Sequence, residues 1–303
     1  MEHFAEVTDD VQLWVEDVGR PDGSPLLLVM GANASGPTWP DDLVARLVTR
    51  HRVVRYDHRD TGRSTWAFDT RPYAVTDLAD DAVAVLDALG IDRAHVVGMS
   101  MGGTLTQLLL LDHPDRLLSA TVFATAALEG AVPDGGGPDG GGPDGGAPPP
   151  FSDIDPRLLD LWEHLSDPRD REAEIAWRVE HWRLLNGRSL PFDEDEFRRL
   201  EERLIEHAGR HDNPVAHARA DQSGLARGSE LARVTVPTLV VEAPEDPVNP
   251  PPAARRIADA IPSARLVTIP GMGHALGSPV IPPLAEAILT HTAQIDTAPV
   301  DEP

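Results

Sequence analysis

Apolar and polar residues alternate over residues 11–17 (VQLWVED), the two-residue period of a strand with one face in water, as suits an antiparallel edge. From residue 26 the pattern changes: LLLVM at 26–30 is a short continuous apolar run, suited to a strand buried on both faces. RVVRY at 52–56, AHVV at 94–97 and LLSATVFA at 117–124 read as further strands. Between them the spacing predicts helices at 76–90 (TDLADDAVAVLDALG), capped by Thr76 and closed at Gly90, and at 101–113. Strands alternating with helices predict a mostly parallel sheet with helices on both faces.

The alternation stops at 133–150, where Pro-Asp-Gly-Gly recurs three times before a run of prolines. Such sequence has no means of burying a core and reads as a flexible insertion. Beyond it, 170–186 and 193–209 carry helical patterns rich in Trp, Leu, Arg and Glu, and no convincing strand appears. Strand-like sequence returns at 236–242 and 265–269, separated by a helix near 251–261, and a last helix is expected at 283–293. The chain therefore divides into a first core segment (1–132), the flexible insertion (133–150), a helical lid (151–228), a second core segment (229–293) and a frayed tail (294–303).

Composition narrows the chemistry. Length (303 residues) suits one large domain with an insertion or two small ones, and 41% hydrophobic with 25% charged residues is an ordinary globular profile. No run of 18 apolar residues exists to span a bilayer, and the acidic start MEHFAE lacks the features of a signal peptide, so a cytoplasmic protein is expected. The absence of cysteine removes disulfides, thiol nucleophiles and thiolate metal sites, and all 26 basic residues are arginine, which removes Schiff-base and Ser-Lys chemistry. A net charge of -24 argues against nucleic acid and anionic membranes as partners.

One five-residue stretch then stands out: 98–102 (GMSMG) lies between a strand and a helix, the setting in which G-x-S-x-G forms a nucleophile elbow. Gly98 and Gly102 would let the backbone turn sharply from strand into helix, so that Ser100 occupies a strained position with its hydroxyl exposed. A serine hydroxyl is a weak nucleophile that needs a base, and the base needs an orienting carboxylate. His274 follows the strand at 265–269 in a glycine-rich loop, and Asp246 follows the strand at 236–242 in the turn EAPEDP, with Glu245 as the alternative acid. The order Ser, Asp, His is the one expected of this strand–turn–helix architecture. Backbone N–H groups of Met101 and of Ala32, in the loop MGAN after the first buried strand, would bind an oxyanion.

Other polar stretches have simpler readings. The loop 55–64 (RYDHRDTGRS) invites an anion site, but adjacent arginines and aspartates more often pair locally and brace a loop. Trp162, Trp177 and Trp182 lie at helical spacings in the lid and read as core or pocket wall.

Taken in order, Met30-Gly31 after a strand, DHRDTGRS, GMSMGGTLTQ, Asp246 and IPGMGHAL resemble the α/β-hydrolase superfamily over nearly the full chain. Within it, LLLVMGANASGPTWPDDLVARL, VVRYDHRDTGRSTW and WRLLNGRSLPFDEDEFRRLEERLIEHAG are similar to methylesterases that tailor anthracyclines. The resemblance implies a cofactor-free, metal-free serine esterase with Ser100, Asp246 and His274 as triad, Ala32 and Met101 as oxyanion donors, and a bulky hydrophobic small-molecule ester as substrate. Perhydrolases and carbon–carbon bond hydrolases share that triad, and a binding protein that kept the fold without turnover is the alternative from another class.

Overall fold

A computed structural model describes residues 1–131 and 154–297, so the flexible insertion expected at 133–150 lies outside the described residues. The first half holds strands β1 (Glu2–Thr8), β2 (Val11–Gly19) and β3 (Ser24–Val29), helix α1 (Asp41–Leu47), β4 (His51–Tyr56), α2 (Val75–Ala88), β5 (Ala94–Met99), α3 (Met101–Asp112) and β6 (Leu117–Phe123). The helices α4 (Pro156–Glu163), α5 (Arg171–Leu185), α6 (Glu194–Ala208) and α7 (Ala216–Arg219) follow without an intervening strand. The sheet is then completed by β7 (Thr238–Glu242), α8 (Ala253–Ala260), β8 (Ala264–Thr268) and α9 (Ile281–Asp296).

The strands form one sheet in the order β1-β2-β4-β3-β5-β6-β7-β8, with β2 antiparallel to both β1 and β4 and every other pairing parallel. Because β5 is buried at every position, its apolar residues pack on both faces, as the continuous runs predict. One face packs on Leu78 of α2, Leu105 of α3 and Ile257 of α8, the other on Leu43 of α1 and Leu284 of α9. Each of these five side chains is fully buried, and truncating one to alanine would cost about 2–5 kcal/mol.

Three details differ from the sequence reading. The strand at 11–17 is not an edge, because β1 pairs alongside it; EHFAEVT gives a weak signal, with Phe4 half exposed and only Ala5 buried. Thr76 does not cap α2: the helix begins at Val75, and the Asp77 carboxylate accepts the Ala74 N–H at 2.9 Å. The tail is not frayed at 294–296, since α9 runs to Asp296, whose carboxylate accepts from Ser24 Oγ at 2.8 Å and meets His95 Nε2 at 3.0 Å.

Candidate active site

Between β5 and α3 the chain reverses on one residue. Ser100 has φ 55 and ψ -122, a conformation that strains any residue with a Cβ. It is held there by its own N–H donating to Phe123 O at 3.1 Å and by its carbonyl accepting from Gly103 and Thr104 at 2.8 and 3.1 Å. The strain falls on the serine, so the flanking glycines serve close approach instead of the turn itself. A Cβ on Gly98 would lie 2.2 Å from Gly102 O, and one on Gly102 would lie 2.0 Å from Val29 O. Ser100 precedes the first turn of α3, and its hydroxyl makes no capping bond to that helix.

At the carboxyl ends of β7 and β8, two loops meet. Asp246 is buried, and its carboxylate bonds His274 Nδ1 at 2.9 and 3.0 Å while Oδ1 also accepts the N–H groups of Val248 and Asn249 at 2.8 and 2.9 Å. Burial pushes this carboxyl up, but the His274 ring and the two amides outweigh it and hold the acid below its usual range. Since a carboxylate only accepts, Nδ1 carries the proton and Nε2 is the nitrogen left facing the cavity. The loop is fixed from above as well, because His274 and Ala275 donate their N–H groups to Leu185 O, at the end of α5, at 2.7 and 3.1 Å.

Glu245, the neighbouring acid, points elsewhere. Its carboxylate accepts from the Ser189 hydroxyl and from the amides of Arg188 and Ser189, which together lower its pKa, and so it ties the turn after α5 to the sheet.

Gly31 packs directly on the elbow, where an added Cβ would lie 3.1 Å from Ser100 Cβ. Among the described residues no protein group accepts the N–H of Ala32 or of Met101, the two amides that flank this contact. Ser100, His274, Ala32, Trp162, Trp177 and Trp182 all line one cavity of about 530 Å³. Its wall also contains His181, Trp66, Arg178 and Glu201, which sequence reasoning did not single out. Arg178 and Glu201 pair at 3.1 Å and Trp182 Nε1 donates to Glu201 at 2.6 Å, so the polar wall is cross-linked rather than open to solvent. Burial pushes His181 down to about 4, and its neutral Nε2 accepts from Trp162 Nε1 at 3.0 Å. Trp177, His181 and Trp182 come from α5 and Trp162 from α4, and only the packed lid shows that all four line the cavity of Ser100.

The loop at 57–64 is a brace. Asp57 accepts from Gly36 and Arg63 amides and meets His207 Nε2, each at 2.7 Å, while Arg59 pairs with buried Asp81 at 2.5 Å.

The sheet order, the strained serine at the end of β5 and the His–Asp pair beyond β7 and β8 define a class. The chain belongs to the alpha/beta hydrolase family, whose profile matches residues 26–286. It is 49% identical over 290 residues to Rhodomycin D methylesterase DauP of Streptomyces sp. (strain C5), covering 94% of this chain and 96% of that one. It is 48% identical, over the same length and shares, to Rhodomycin D methylesterase DnrP of Streptomyces peucetius. Among solved structures, the bromoperoxidase from Bacillus anthracis superposes with a TM-score of 0.75 over 97% of this chain and all of that one, at 21% identity, a likeness of fold.

Proposed function

We propose that this chain is a serine carboxylic ester hydrolase that removes a methyl group from a bulky polyketide ester through an acyl-enzyme. The observation that carries the reading is the His274 ring, held at Nδ1 by buried Asp246 with Nε2 facing the cavity that Ser100 lines. In the forward step Ser100 Oγ attacks the ester carbonyl while Nε2 takes its proton, and Asp246 stabilises the imidazolium. The carbonyl oxygen gathers charge between the amides of Ala32 and Met101, each of which would contribute about 3 kcal/mol to the transition state. Collapse expels methanol, protonated by His274, and water then attacks the acyl-enzyme by the reverse sequence to release the acid.

The named methylesterases support the leaving group and the scaffold, because their likeness runs through the lid as well as the core. The wall of four tryptophans supports a large flat ligand, since indole faces bury much area with little loss of conformational entropy. No helix among the described residues is long and apolar enough to cross a membrane. The test is hydrolysis of a panel of methyl, acetyl and aryl esters by wild type and Ser100→Ala. Methanol release from aromatic polyketide methyl esters, lost in the variant, is expected; equal rates in both proteins would overturn the reading.

A further inference from the structure

Two buried histidines outside the proposed triad grip the loop that carries Ala32. His217, on α7 at the root of the inserted helices, accepts the Asn33 N–H at Nδ1 (2.8 Å) and lies 3.0 Å from Arg59 O through Nε2. An amide donates and a carbonyl accepts, so the ring is the neutral Nε2–H tautomer with both nitrogens used. His58, on the brace loop, donates Nε2–H to Met30 O at 2.9 Å, and its ring stands edge-on to His217 with centroids 5.6 Å apart. Both are buried, and burial holds His58 down to about 4 and His217 to about 3, so they stay neutral bracing groups at working pH.

The two contacts fall on either side of Gly31 and Ala32: one on the carbonyl of Met30, the other on the amide of Asn33. Asn33 sits in the left-handed region, φ 59, within a turn over 32–33, and among the described residues His217 is the one side chain that bonds the main chain of Gly31, Ala32 or Asn33. A loop so sparsely bonded does not aim an amide by itself. We propose that His217 and His58 are positioning residues that clamp this loop and so aim the Ala32 N–H at the developing oxyanion. The inserted helical block then has two tasks, lining the cavity and completing the catalytic geometry from its last turn. The proposal rests on the reading of Ala32 as an oxyanion donor.

The experiment compares wild type, His217→Phe, His217→Asn and Ala32→Pro, using p-nitrophenyl acetate turnover and inhibition by 2,2,2-trifluoroacetophenone, whose adduct with serine places an oxyanion in the same spot. His217→Phe keeps a ring but removes both bonds; kcat should fall roughly 10- to 100-fold, somewhat less than deletion of a donor, with KM within about two-fold and ketone affinity weakened in parallel. His217→Asn, whose Oδ1 stands near the Nδ1 position, should recover most of the loss. Should the Phe variant not fold, His217→Gln, which reaches Arg59 O but offers Asn33 no acceptor, carries the same expectation. Ketone affinity and kcat unchanged in His217→Phe or Gln, with both lost in Ala32→Pro, would overturn the clamp alone. Both retained in Ala32→Pro would overturn the oxyanion reading and the clamp with it.

Discussion

The two ends of the sheet each hold a histidine hydrogen-bonded to an aspartate, and the two differ in what their rings have left over. At the amino end His95 Nε2 meets Asp296 at 3.0 Å and its Nδ1 meets Ser119 Oγ at 2.7 Å, so both ring nitrogens are spent. Nearby, His51 is shared between the hydroxyls of Ser24 and Thr292, each at 2.9 Å. At the carboxyl end His274 spends one nitrogen on a buried carboxylate and presents the other to a cavity beside a strained serine. A His–Asp bond alone therefore says little. What separates a site from a structural tie is an unspent valence, space for a ligand and a nucleophile held in an unfavourable backbone conformation.

The sharpest way to break the contrast is at Ser100. Replacing it with alanine should lower ester hydrolysis by about five to six powers of ten and abolish labelling by a fluorophosphonate probe, while the fold persists. Asp246→Asn should cost about 10⁴-fold in kcat by leaving His274 in the wrong tautomer, whereas Glu245→Gln should stay within a few-fold, because Glu245 bonds the 188–189 turn. Steady-state kinetics on one methyl ester decide between them, and the reverse ranking would move the acid to Glu245.

Acid should weaken the molecule through its bracing histidines. His58 and His217 are held to about 4 and about 3, below the ordinary 6.5, so under pH 6.5 the unfolded chain binds protons that the folded chain refuses. Stability is then highest above pH 6.5 and falls by about 1.4 kcal/mol per pH unit for each ring until its folded pKa is reached. Urea midpoints between pH 7.5 and 4.5 test this; a flat profile would show that the rings are not buried neutral. The smallest effect is expected at the amino end: His95→Phe should cost about 1–3 kcal/mol of stability in chemical denaturation and leave kcat per folded molecule unchanged.

Much of this was legible in the chain. Apolar runs marked β3, β5, β6 and β7, and the sequence pointed to Ser100, Asp246 and His274 because each lies in the turn or loop that follows a strand. β1 escaped notice because its apolar residues are few and half exposed, and α1 because seven residues give barely two turns of periodicity. The roles of His58 and His217 left no local trace. Asn33 and His217 are 184 positions apart, and a ring that accepts a single amide leaves no spacing to read. Likewise GMSMG marks a strained serine, but only the packing shows that its glycines are needed for close approach to Gly102 O and Val29 O.

His217 also changes where the molecule can be cut and rejoined. By strand order alone, everything between β6 and β7 looks exchangeable, and a designer wanting new substrates would graft a foreign cap across the whole interval. Since α7 reaches back to Asn33, the safe seam lies ahead of Ala216, with 216–219 inherited by the core. Chimaeras joined after Arg219 would receive a pocket and lose the aim of its catalyst; those joined before Ala216 would keep both.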